Sequence, residues 1–334
     1  MERNQILMKE KLGFSGLLKA ALKILYQNPN LIILVFLTSL PLFIGMLIHE
    51  LWFQKTLIQA ATFLSHEPEM PNINNFYIHR FHPIFKLEEL VKGFGLSFVQ
   101  LGLLYIPFIH LPDLINTIGV VSSASAIYSG DQLETKPRET LFKCFENCAF
   151  RRPLITSIYV LSMASLVFLG FIAIASQACV YIQIHEPLSL SSLIFALPFF
   201  VLLYKYLQWR SLWNLGIVTS ILEDKHGDVA LLVSAYISRG NRLNGQVVTA
   251  MFFFWKLSLT LMATIYVGFN QGDQKRIILV TAFQVFLVCV GNVIKWVIFM
   301  VFFYDCKVRF LEKKVDVEEG KKDTSVGLGP ATAS

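Results

Sequence analysis

The sequence predicts an all-α fold: a polytopic membrane bundle of six transmembrane helices with three cytoplasmic amphipathic helices. Three observations carry that reading. Hydrophobic residues make up 54% of the chain and charged residues only 16%, well below the ~25% charged of ordinary soluble domains. Long, nearly uncharged stretches recur along the chain, each reaching the ~20 residues that a spanning helix needs. The basic residues fall mainly in alternate connections between those stretches. The alternating pattern of a membrane β-barrel is missing.

The N-terminal segment, residues 1–30, is expected to lie in the cytoplasm and to contain an amphipathic helix. Lys19 and Lys23 interrupt its apolar residues, so it does not read as a cleavable signal peptide. The six-span membrane domain follows over 31–304. Span one covers 31–53 and ends near Trp52. Span two, 94–128, carries Pro107 and Pro112 and reads as one long kinked helix. Span three covers 154–181, and span four runs from about 188 to 222 with Lys205 and Arg210 in its later half. Spans five and six cover 247–269 and 277–304. Residues 305–334 are expected to form a flexible cytoplasmic tail, polar from about Glu312.

Of the 29 Lys and Arg residues, 21 then fall on the side of the two termini and 6 on the other, with Lys256 and Lys295 inside spans. The positive-inside rule puts both termini in the cytoplasm. It also explains the net charge of +6 without a nucleic-acid partner.

A short amphipathic segment precedes each odd-numbered span. Phe14, Leu17, Leu18, Ala21 and Leu25 recur at helical spacing before NPNLI; Leu141, Phe145, Cys148 and Ala149 do so before RRPLI. Val229, Leu232, Val233, Tyr236 and Ile237 fall at i, i+3, i+4, i+7 and i+8 before SRGNRLNG. The chain therefore reads as a possible threefold repeat of one amphipathic helix plus two spans.

The stretch LGIVTSILEDKHGDVALLVSAYISRGNRLNGQ resembles the six-helix membrane domain of bacterial glycerophosphoryl diester phosphodiesterases and its stand-alone relatives. There, an apolar run ends in Glu, a Gly-containing turn follows, and a helix leads to a Gly-Asn-Arg-like turn. ILYQNPNLI and AIYSGDQLETKPRETLFKC fit the same pattern, so the likeness covers about residues 12 to 304. The whole chain also resembles a plant family of uncharacterised six-span proteins built on this domain. The resemblance implies the fold. It does not imply the phosphodiesterase activity, which the bacterial enzymes carry in a separate soluble barrel.

Several groups invite a chemical reading. Glu223, Asp224, His226 and Asp228 in EDKHGD match no known ligand spacing and read as structural, with Asp228 as N-cap of the helix that follows and Gly240 at its C′ position. His79 and His82 read as solvated loop residues, and Cys144 and Cys148 as small members of an amphipathic face. The intramembrane polar residues are the better lead, because an ionisable group inside a bilayer is costly. Asp113 shares a helical face with His110 and Asn116, and Lys256 lies at a similar depth, so Asp113 and Lys256 are expected to pair across spans two and five. Lys295 is expected to snorkel toward the cytoplasm, and Gln284 and Asn292 to hydrogen-bond between helices.

No nucleophile constellation or phosphate-binding glycine loop is visible, so no enzyme activity, catalytic residue, metal site or cofactor is expected. The lipid bilayer and proteins meeting the cytoplasmic helices are the expected partners. The sequence favours a non-enzymatic organising or regulatory membrane factor. The alternative is a permease or channel for a small solute, with Asp113, Lys256, His110 and Asn116 as its intramembrane polar site. An endoplasmic reticulum and a plasma membrane location fit equally, since no KDEL-type or CaaX signal ends the chain.

Overall fold

A computed structural model describes residues 12–65, 92–93, 95–130, 150–184, 192–270 and 272–326. The segment containing Cys144 and Cys148 and the loop containing His79 and His82 lie outside the described residues. Among the described residues every regular element is helical.

Helix α1 (Phe14–Gln27) ends at Asn28, whose side-chain amide donates to the carbonyl of Ile24 at 2.9 Å. Helix α2 (Pro29–Ser65) follows, with Pro41 inside it. Helix α3 (Gly95–Ser129) contains a π-helical turn at Ile106–His110. The kink expected from Pro107 and Pro112 takes this form: Pro112 lacks the N–H that an α-helix would offer to the carbonyl of Phe108, and the ladder widens locally. Gly130, at φ 85°, closes the helix.

Helices α4 (Arg151–Ile184) and α5 (Ser192–Leu222) come next, then a short α6 (Gly227–Ile237) and a 3₁₀ turn at Ser238–Gly240. Helix α7 (Arg242–Phe269) and helix α8 (Gln274–Val326) complete the bundle. The segment read as a flexible tail is thus helical as far as Val326, an extension of span six rather than a break after it.

Five of these helices, α2, α3, α4, α7 and α8, are long and apolar enough to cross a membrane. Their outward surface explains why water is the wrong solvent. In the most apolar stretch of α4 only 6% of residues are buried, and Leu166, Phe168 and Leu169 are all at least 60% exposed. An apolar surface this continuous requires an apolar medium around it. An all-helical chain with several such helices fits a multi-pass membrane protein.

Helix α8 is the axis of the bundle and packs against α1, α2, α3, α5 and α7. Every residue from Trp296 to Phe303 is buried, with Phe299, Phe302 and Phe303 among the largest enclosed side chains. A helix segment apolar on all faces belongs in such a place. Leu215 and Val218 of α5, Val120, Val121 and Ala124 of α3, and Leu17 and Ala21 of α1 complete this dry core.

The two described amphipathic helices behave oppositely. Helix α1 buries the face expected of it, including Leu17 and Ala21. Helix α6 buries Gly227, Ala230 and Ser234 instead and leaves Val229, Leu232 and Tyr236 exposed, reversing the expected face. Small residues let α6 approach α4 and α5 closely, while its large apolar side chains point away from the bundle. Its caps also differ from expectation. The helix starts at Gly227 (φ 62°), whose N–H donates to Thr156 Oγ1 at 2.9 Å, so Asp228 lies in the first turn rather than at the N-cap. Gly240 ends a 3₁₀ turn and is not in the left-handed region.

Candidate functional site

Three polar residues on one face of α3 were expected to converge with Lys256. They reach instead toward three different helices. His110 Nε2 and Ser157 Oγ of α4 are hydrogen-bonded at 2.6 Å. Asp113 Oδ1 accepts from Asn292 Nδ2 of α8 at 2.6 Å. Asn116 is fully buried, and its Oδ1 accepts from Thr38 Oγ1 at 2.8 Å and Ser39 Oγ at 3.1 Å, both on α2. Helix α3 is thereby stitched to its neighbours at successive turns, while the Asn116 Nδ2 finds no partner among the described residues.

The expected ion pair between Asp113 and Lys256 is not formed. The carboxylate turns to the nearer amide of Asn292, and Lys256 makes no ion pair or hydrogen bond among the described residues. The Lys295 ammonium lies over the Trp296 ring, 4.2 Å from the centroid.

Arg210 on α5, Lys256 on α7 and Lys295 on α8 are cations at mid-helix on three helices that pack against one another. Arg210 donates to the hydroxyl of Tyr206 and lies 5.6 Å from that ring's centroid. None of these cations sits at a helix end. Lys256 is about 13 or 14 residues, ~20 Å, from either end of α7, and Arg210 is ~18 Å from the end of α5 at 1.5 Å per residue. Five consecutive residues of α7, Phe254 to Ser258, are exposed, although Trp255 also lies against Gly291 of α8.

Beyond these cations, toward the α7–α8 connection, lies a network that sequence reasoning missed. Glu50 Oε1 accepts from Gln54 Nε2 at 3.3 Å and from Gln284 Nε2 at 3.1 Å. Gln54, almost fully buried, also accepts from Thr281 at 3.1 Å, and Gln284 donates to Thr260 at 3.2 Å. Gln284 and Asn292 do bond between helices, as expected. Glu50 and Gln54 passed as the border of a span, although their i, i+4 spacing put them on one face.

A second missed group ties the opposite end. Asp305, 7% exposed, accepts from the Leu12 N–H at 3.0 Å, Asn241 Nδ2 at 2.7 Å and Arg309 Nε at 2.8 Å. Arg309 Nη2 in turn donates to the Leu12 carbonyl at 2.9 Å. The acids of EDKHGD are similarly engaged: Glu223 pairs with Lys307 at 2.8 Å, and Asp224 with Arg152.

These features define a class: an all-α bundle with several helices fit to cross a membrane, a dry core at one end and hydrogen-bonded polar side chains at mid-helix. The chain belongs to the family described as "Domain of unknown function (DUF8558)", whose model matches residues 1–320. No curated protein and no solved structure matches it.

Proposed function

We propose that this protein is a permease for a small solute, a six-span membrane protein with both termini in the cytoplasm. One observation carries the reading: polar and charged side chains of α2, α3, α5, α7 and α8 lie away from the helix ends, among them Glu50, Asp113, Arg210 and Lys256, and the α7 turn that carries Lys256 is exposed. Charged groups in hydrocarbon are costly and belong with a water-filled path or a ligand. The dry core at Trp296–Phe303 then closes the cytoplasmic end of that path. Arg210, Lys256, Lys295, Asp113 and Glu50 would face the solute, whereas His110 and Asn116 are occupied in joining helices.

The length and apolarity of α5 support counting it as the sixth span. An even number of spans agrees with the charge bias of the connections. Packing also supports the threefold repeat. Consecutive helices pair as α2 with α3, α4 with α5, and α7 with α8, while α6 rests on α5 and α1 on α8. Each described surface helix thus lies on the last span of the unit before it, taken cyclically. That arrangement is consistent with the likeness to the glycerophosphoryl diester phosphodiesterase membrane domain.

A second reading, an organising factor acting on lipids or proteins, is favoured by one feature: the outward Val229, Leu232 and Tyr236 of α6. Transport decides between them. Purified protein in liposomes, offered radiolabelled orthophosphate, succinate, choline and glucose, is expected to admit at least one faster than protein-free vesicles. Lys256→Met is expected to cut that uptake at least tenfold. Equal entry of all four with and without protein contradicts the permease.

A further inference from the structure

We propose that the cavity between α5 and the start of α7 binds a phosphate group, held by Arg242, Gln246, Gln208 and Ser211. The proposal goes beyond the permease reading and does not depend on it.

The cavity measures about 160 Å³ and lies where α5, the 3₁₀ turn and α7 meet. A single water needs only ~15 Å³, so the space admits a polar group of several atoms. Helical spacing builds its walls. Gln208, Ser211 and Leu215 fall at i, i+3 and i+7 on α5, and Arg242 and Gln246 at i and i+4 on α7, so each set shares one face of its helix. Ser238 of the 3₁₀ turn and Phe302 of the dry core also line it. Gly245 sets how closely the walls approach: a Cβ there would lie 2.5 Å from Ser211 Oγ and 2.9 Å from the Phe302 ring.

The protein leaves most of the hydrogen-bonding groups around this space unused. The side chains of Gln208, Ser211 and Gln246 make no hydrogen bond among the described residues, although Ser211 is only 5% exposed. Arg242 spends one N–H on a long, 3.4 Å bond to the Ala235 carbonyl and forms no ion pair among the described residues. Its guanidinium has five N–H donors, so the rest of the fork is free. Unpaired amides and hydroxyls are costly where water is scarce, and several of them converging on one concave space call for a partner from outside.

The charge of that partner follows from the lining. One guanidinium and no described carboxylate face the cavity, which selects an anion. Donors stand on two helices at different sides of the space. They suit three or four acceptor oxygens, as in phosphate, better than the two of a carboxylate.

The site also lies where a phosphate can reach it. The 28 residues of α7 extend ~42 Å, longer than the ~30 Å of bilayer hydrocarbon, so its first turn projects beyond the apolar layer. Arg242 begins that turn and Gln246 follows one turn later. Trp209, another lining residue, is of the type that settles at the membrane–water boundary. A phosphate arrives there from water or on the headgroup of a lipid in the adjoining leaflet.

Isothermal titration calorimetry of the purified full chain in nonionic detergent, at constant ionic strength, tests the site and separates the two sources. The probes are sodium orthophosphate, sodium glycerol 3-phosphate and dihexanoyl phosphatidylglycerol. At least one is expected to bind saturably, one per chain. Arg242→Gln is expected to weaken that binding at least tenfold and Gln246→Leu at least threefold, while Arg242→Lys retains it. Gln246→Leu preserves side-chain size and apolar packing, so it serves if Arg242→Gln fails to fold. Binding of orthophosphate or glycerol 3-phosphate assigns a free phosphate compound, and binding of phosphatidylglycerol alone assigns a lipid headgroup; either upholds the site. Absence of saturable binding by all three, or unchanged affinity in both Arg242→Gln and Gln246→Leu, overturns it. Phosphate binding without uptake in the liposome test keeps this site and removes the permease. Uptake without phosphate binding does the reverse.

Discussion

Gly45 shows how a single position sets the approach of two helices. A Cβ built there would sit 2.1 Å from the carbonyl oxygen of Phe108, in the π turn of α3. That carbonyl has no N–H partner at Pro112, and the bare Cα of Gly45 lets α2 close over it. Gly45→Ala must push backbone against backbone, and is expected to lower stability by about 2–4 kcal/mol. Gly102→Ala on α3, where a Cβ meets nothing within 4 Å, is expected to change it by less than about 1 kcal/mol. Thermal unfolding of the two variants in one detergent checks the contrast. At this scale the sequence revealed which residues were costly to bury but not whom they meet. Asp113, Asn292 and Gln284 stood out as polar groups in apolar runs, while the choice of Asn292 over Lys256 depends on helix rotation, which spacing along one chain does not encode.

Helix α6 and the Asp305 contacts carry the lesson at the level of elements. The periodicity of Val229, Leu232, Val233, Tyr236 and Ile237 correctly marked a helix with an apolar face, and the structure turns that face outward. In water the large apolar face seeks the core; against lipid, small residues make the helix contacts and large ones meet the acyl chains. Sequence periodicity alone does not distinguish the two solvents. Asp305 went unnoticed because it stands next to a basic tail, where an acid looks ordinary. It joins the start of α1, Asn241 before α7, and Arg309 on α8. Asp305→Ala leaves the Leu12 N–H, the Asn241 amide and the Arg309 guanidinium short of a partner, and is expected to destabilise by about 2–4 kcal/mol. Hydrogen exchange should report it locally, with α1 amides at 14–27 losing protection before those of α8. Uniform loss across the bundle, or none, counts against the local role of Asp305.

For the whole molecule, long apolar runs and the bias of basic residues made the helical bundle readable from composition alone, because the bilayer constrains length and charge more tightly than a soluble core does. The charged groups of the proposed permease site were legible only in part. Lys256 and Asp113 were visible as unusual charges, but Arg210 passed as a residue near a helix end and Lys295 as one able to snorkel. Whether such charges meet depends on how α5, α7 and α8 pack, which no single apolar run encodes.

A permease of this kind lets water reach Lys256 in the middle of the bundle. Lys256→Cys tests it most directly, in proteoliposomes of known orientation treated with a membrane-impermeant maleimide from one side at a time. The parent chain is the control for its native cysteines, of which Cys289 and Cys306 are buried. Labelling of Lys256→Cys above the parent chain from at least one side is the predicted result. A cysteine at 256 that stays unlabelled from both sides, yet reacts once the protein is unfolded in detergent, would contradict it.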